Sequence, residues 1–319
     1  MRRIVLFGVL LALLLPLLVG CNDDDNGVNR SSNAITFVRE APDGAREIWM
    51  MNLDGSGKVL LASRPDGDAI QGSLSPNGRT LLYLTNIPAG TQMVAQDLNT
   101  GALDVLLSSA NGNDDMTPAY SPNGQRIAHS LTATRDIYVM DADGTNDTPI
   151  AGDDSETYIS PMWNAAGTRI VFAIGWDYAS LWTMNPDGSD QQLVKADDEN
   201  FAYRQPSFLP DGRILATRVD LASATDQLDV VVMNADGSNE INLTPGTPTT
   251  EEFFPTASRD GTRIAYAVQD DDSTFRDIYI ATFTGNSLVN TVNLTADIDD
   301  LAWRPRIGFV DRGYLVLPD

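Results

Sequence analysis

The chain has 319 residues, 44 acidic against 21 basic side chains, one histidine and one cysteine, and a formal net charge of −23. Such a balance repels nucleic acid and anionic lipid surfaces and favours cationic partners. One histidine excludes every multi-histidine zinc site and leaves Ser-His-Asp or Cys-His machinery only His129 and Cys21 to draw on.

In chain order, Met1-Arg2-Arg3 supplies a short positive start and Ile4 to Val19 an apolar run broken by Gly8 and Pro16. The run is short for a membrane span and reads as a secretory signal over residues 1–20. It ends in Leu18-Val19-Gly20-Cys21, which resembles a bacterial lipobox and makes Cys21 the expected lipidation site. Residues 21–33 are polar and nearly free of large apolar groups, the composition of a tether. Without Arg2 and Arg3 the net charge deepens to −25. The expected location is exported and lipid-anchored, with the periplasmic face of an outer membrane favoured by Asn22 after the cysteine. The lipid is then the sole membrane contact.

From Ala34 onward two turns alternate. Ser-Pro-Asn-Gly and its variants place glycine at 78, 124, 167, 212 and 261. Asn-x-Asp-Gly-Ser and its variants place it at 55, 101, 144, 188, 237 and 285, at intervals of 46, 43, 44, 49 and 48 residues. Short β-branched and aromatic runs flank the turns, such as Ile170-Val171-Phe172-Ala173 before and Leu181-Trp182-Thr183-Met184 after a connection. Asn-Gly and Asp-Gly between such runs are hairpin signals, and no 3.6-residue period is sustained. Each unit therefore carries strands A to D. Four strands in about 45 residues is the repeat of a propeller blade. The expected fold is all-β: a six-bladed β-propeller of four-stranded antiparallel blades over residues 34–319. Leu301-Ala302-Trp303-Arg304-Pro305 resembles a strand A and is expected to complete the first blade and close the ring.

The paired pattern, Tyr/Trp-Ser-Pro-Asn/Asp-Gly-x-x-Ile followed by Ile-Tyr-x-Met-Asn-x-Asp-Gly-Ser, is similar to the WD40-like (PD40) repeat of the TolB propeller family. The resemblance implies a propeller of the cell envelope that binds rather than catalyses. TolB carries a further N-terminal α/β domain, where this chain has the tether, so the role of TolB in the Tol–Pal system does not transfer. Related pectate-cleaving propellers use histidine-rich metal centres, which this composition does not supply.

In such a blade the A–B and C–D turns share one face and the longer B–C and D–A loops share the other. The D–A loops are acidic: Asp66 and Asp68; Asp114 and Asp115; Asp153, Asp154 and Glu156; Asp197, Asp198 and Glu199; Glu251 and Glu252; Asp297, Asp299 and Asp300. Two readings compete for them. Each acid is a turn-capping part of the repeat, or the ring focuses a negative potential on a basic protein, a peptide or Ca²⁺. Trp176 and Tyr203 beside these loops are candidate aromatic anchors. His129 occupies a slot held by Tyr83, Phe172 and Tyr266 in other blades and is expected to be a packed strand residue. Asp141 to Asp147 only superficially matches a calcium loop, lacking the alternating ligands and distal glutamate. The expected activity is non-catalytic binding of a basic protein or peptide by a monomer that does not bind nucleic acid. A carbohydrate or cell-wall module is the first alternative, and a carboxylate-based lyase or hydrolase the second.

Overall fold

The structure is a computed structural model. It describes residues 34–296, apart from 42, 66, 111–116, 154, 177–178, 224–226, 247–248 and 271–275. The leader, Cys21, the tether and the Leu301–Pro305 closing segment lie outside the described residues.

Alternating apolar runs and glycine turns produce six antiparallel sheets in sequence order. Blade 1 holds β1 (Ala34–Glu40), β2 (Arg46–Asn52) and β3 (Val59–Ala62). Blade 2 holds β4 (Asp68–Leu74), β5 (Thr80–Ile87), β6 (Gly90–Asp97) and β7 (Leu103–Ser109). Blade 3 has β8 (Ala119–Tyr120), β9 (Arg126–Leu131), β10 (Asp136–Asp141) and β11 (Thr148–Ala151). Blade 4 has β12 (Tyr158–Trp163), β13 (Ile170–Ile174), β14 (Ser180–Met184) and β15 (Gln192–Lys195). Blade 5 has β16 (Phe201–Phe208), β17 (Ile214–Asp220), β18 (Gln227–Met233) and β19 (Ile241–Asn242). Blade 6 has β20 (Thr250–Ala257), β21 (Arg263–Asp270), β22 (Arg276–Thr284) and β23 (Ser287–Asn293). The described residues contain no helix. The expected all-β six-bladed propeller is therefore present, and blade 1 shows three strands among the described residues.

The core lies between blades. Ile159, Val171 and Leu181 of blade 4 pack on Tyr203, Ile214 and Val231 of blade 5. Blade 1 meets blade 6 in the same way, through Ile35, Phe37 and Met51 against Ala265, Ile278, Ile280 and Leu294. The first and last blades thus touch through their own side chains.

Both glycine series stand at positive φ, from +55° at Gly285 to +91° at Gly212. Some serve a second purpose. A Cβ on Gly188 would lie 2.0 Å from the Ile150 carbonyl oxygen of the preceding blade, and one on Gly237 would lie 1.8 Å from that of Val194. These turns press on the neighbouring outer strand. The serine of Ser-Pro closes the A–B turn, its Oγ accepting the N–H of the residue five positions on, at 3.0 Å from Thr80 and 2.9 Å from Arg126.

Gly101 has φ +73° with nothing near its missing Cβ, whereas Gly188 has φ +82° and the close carbonyl. Gly101→Ala should therefore cost only the left-handed penalty of about 1–2 kcal/mol. Gly188→Ala should cost roughly 3 kcal/mol or more, because overpacking adds to that penalty. Denaturant melts of the two variants check this, and equal losses would contradict the close packing of blades 3 and 4.

Candidate functional site

The sequence-selected acids divide by what they touch. Asp153 accepts the N–H groups of Ser155 at 2.8 Å and Glu156 at 2.9 Å, the Ser155 hydroxyl at 2.7 Å and the Tyr158 hydroxyl at 3.1 Å. The Ser155 hydroxyl, then these N–H groups, hold its carboxyl down at about 2. Asp198 accepts the N–H groups of Asn200 and Phe201, both at 2.8 Å, which lower its pKa. Asp68 binds Arg46 of the preceding blade through its backbone N–H at 2.9 Å and its guanidinium at 2.7 Å. Glu252 is only 3 % exposed and accepts the Thr250 hydroxyl, and Glu251 is half-buried on β20. Asp114, Asp115, Asp154, Asp299 and Asp300 lie outside the described residues. Turn capping thus accounts for the bonds of Asp153 and Asp198, and packing for the place of Glu252.

The same device recurs on the other face. In the Asn-x-Asp-Gly-Ser turns, Asp54, Asp187 and Asp236 each accept the N–H at 3.0 Å and the hydroxyl at 2.6 Å of the serine two residues on. Asp143 does so with Thr145, while Asp141 takes the Asn146 amide and Asp147 sits 2.9 Å from His129 Nε2. The loop that superficially resembles a calcium site has each carboxylate engaged in a turn or a side-chain pair. Among the described residues no group of three His, Cys, Asp or Glu side chains is placed to hold a metal ion.

His129 is buried, 0 % exposed, and stacks on Tyr138 with ring centroids 5.3 Å apart. It is the packed strand residue that its slot implied. Tyr203 requires a correction as an aromatic anchor. It is 2 % exposed and donates its hydroxyl to Glu240 Oε2 at 2.9 Å. Burial, then the charge of Glu240, pushes its phenol up. Lys195 of blade 4 and Arg218 of blade 5 bind the same carboxylate at 2.9 and 3.2 Å, so Tyr203 belongs to an interblade network. Tyr158, Phe253 and Phe254 are buried likewise.

Trp176 differs, being 41 % exposed in the B–C loop of blade 4. Its neighbour Gly175 donates to Thr157 O at 2.9 Å, and Tyr203 N donates to Ala179 O at 2.7 Å. Those bonds draw three connections together. The B–C loop that carries Trp176 is thereby tied to the connection that holds the exposed Asp153 and Glu156, and to the strand that follows the exposed Asp197, Asp198 and Glu199.

Two arrangements escaped sequence reasoning. Gln71, Ser160, Gln205 and Phe254 on the inner strands, and Thr117 just before β8, hold equivalent places, each with φ between +28° and +58°. In four blades they stand at a bulge in the register. The Gln71 side chain accepts the Thr117 N–H of the next blade at 3.1 Å, and that of Gln205 accepts the Phe254 N–H at 3.1 Å. The signal was a proline, or Gly72, six residues before each turn glycine. The second arrangement is the channel mouth on the turn face, where Leu74, Tyr120, Met162, Trp163 and Phe208 converge with Pro76, Pro122 and Pro210. Burial pushes the Tyr120 phenol up to about 12.

Fold and site together define a six-bladed propeller with an acidic loop face and an apolar turn-face mouth. The chain belongs to the TolB beta propeller domain (PD40) family, whose profile matches residues 29–307. Among solved structures, TolB from Acinetobacter baumannii is 16 % identical with a TM-score of 0.67. That match covers 81 % of this chain and 63 % of TolB, so the chain spans less than two thirds of that protein. A chain of a nidogen/laminin complex is 12 % identical with a TM-score of 0.63, covering 82 % of this chain and 93 % of its own. An oligogalacturonate lyase in complex with manganese is 15 % identical with a TM-score of 0.54, covering 75 % and 69 %. No curated protein matches the chain. The fold is thus shared by binding proteins and enzymes.

Asp153 gives a pH test. With its folded value held at about 2, its contribution is complete above the ordinary aspartate value of about 4 and lost as the pH falls below it. The stability difference between wild type and Asp153→Asn should be constant above pH about 5 and shrink between about 4 and 2. Urea melts across that range check it; a difference that grows on acidification would contradict the turn assignment.

Proposed function

We propose that the protein is a non-catalytic binding module of the cell envelope that docks a basic protein or peptide segment on its loop face at blade 4. The observation that carries this reading is the exposed Trp176 on a loop hydrogen-bonded to two segments that adjoin acidic connections. An aromatic anchor desolvated within a charged rim is the arrangement that concentrates binding energy at protein interfaces. The carboxylates raise the encounter rate with a cation-bearing surface and set its orientation. Turn capping does not remove their charge: Asp153 and Asp198, with pKa values below the ordinary range, are ionised at neutral pH.

The non-catalytic part rests on side-chain commitments. His129 is buried between Tyr138 and Asp147, out of reach of a substrate. Lipidation at Cys21, with export and anchoring, belongs to the same proposal and rests on the lipobox-like Leu18–Cys21. The exposure of Trp176 also supports a second reading, a carbohydrate stacking platform, although the burial of Tyr203 removes the other aromatic candidate.

Binding of Lys/Arg-rich peptides, measured by fluorescence anisotropy at low and high salt, tests the proposal. Trp176→Ala and the triple change Asp197→Asn, Asp198→Asn, Glu199→Gln should each weaken binding about tenfold or more, with affinity falling steeply as salt rises. Salt-independent oligosaccharide binding lost only in Trp176→Ala would transfer the site to the second reading. Turnover of any glycan or peptide would overturn the non-catalytic part.

A further inference from the structure

The turn face carries a site of its own. The apolar mouth, about 170 Å³, opens sideways into a groove of about 940 Å³ between blades 2 and 3. Tyr120, Pro76 and Pro122 line both and make them one surface. At the outer end of the groove stands Val105, 54 % exposed on β7.

The charges at the two ends are the informative feature. Arg259 lines both the mouth and the groove, is exposed, and makes no hydrogen bond or ion pair among the described residues. It is a departure from the repeat, since the corresponding turns place Pro76, Pro122 and Pro210 there, and each of those prolines receives the glycine of the following blade's turn. Asp104, exposed at the outer end, likewise has no side-chain partner among the described residues. A cation at the inner end, an anion at the outer end and aromatic and proline walls between them form a dipolar groove. Its volume is within the range of ligand sites, roughly 300–1,000 Å³.

We propose that this groove binds an extended peptide segment with an acidic residue at one end, apolar side chains in the middle and a basic residue at the other. The carboxylate pairs with Arg259 at the mouth, the apolar side chains lie on Tyr120 and its flanking prolines, and the basic residue meets Asp104. The site is on the face opposite to Trp176 and stands independently of the loop-face reading.

A random dodecapeptide display library, panned on the full mature protein in detergent, tests this. Enriched sequences should combine an acidic end, an apolar centre and a basic end. Synthetic versions should bind Arg259→Glu at least tenfold more weakly than wild type. Replacing the peptide's acidic residue with lysine should restore binding to Arg259→Glu while losing it for wild type. Arg259 is exposed, and the circular dichroism melt of the variant serves as the folding control. The changes at Asp197, Asp198 and Glu199 should leave this binding untouched. Absence of enrichment, or peptides indifferent to Arg259→Glu, would overturn the proposal. Enriched basic peptides lost only with the loop-face changes would overturn it too, while supporting the other site.

Discussion

Every surface feature of this protein depends on blades burying each other. A four-stranded sheet has two faces and, within a propeller, only its neighbours can cover them. Hence the buried apolar residues form clusters between blades, including Ile35 and Met51 of the first against Ile280 and Leu294 of the last. The close approach of Gly188 and Gly237 to carbonyls of the preceding blade is part of the same constraint. So are the Gln71 and Gln205 amides, which accept an N–H from the adjoining inner strand. With the ring held internally, the connections at its two ends are left to vary.

That division explains where the charge goes. An aspartate two residues before a hydroxyl or backbone donor closes a turn, and Asp54, Asp143, Asp187 and Asp236 do so on the turn face. Asp153 and Asp198 do so on the loop face. Much of the acidity is therefore a product of repeating a turn, and net charge alone does not identify a site. The informative residues are those that the repeat does not require. Trp176 is exposed where most other aromatics are packed away, and Arg259 stands where a proline is usual.

The repeat was legible because turn chemistry is local. The conformations of Asn-Gly and Asp-Gly depend on neighbouring atoms, and every glycine selected from the sequence stands at positive φ. His129 was legible for a related reason, since its counterparts in other blades are apolar or aromatic. Tyr203 was misread because its burial depends on Lys195 and Glu240, residues 8 before and 37 after it in sequence. The channel mouth was not legible at all. Its lining comes from one short segment in each of five blades, and only the curvature of the closed ring brings Leu74, Tyr120, Trp163 and Phe208 together. Gln71 and Gln205 escaped because a glutamine next to glycine or proline gives no sign that its side chain reaches another blade.

The most direct test of this account is the unfolding of a Leu294→Ala variant followed by circular dichroism and tryptophan fluorescence together. Leu294 is 3 % exposed in the cluster joining blade 6 to blade 1. Its truncation should cost about 2–5 kcal/mol. If the ring is one cooperative unit sealed by that contact, both probes should report a single coincident transition at a lower midpoint. An early, separate transition, with the remaining blades unfolding at the wild-type midpoint, would show that the first blade is an appendage and contradict the closed ring.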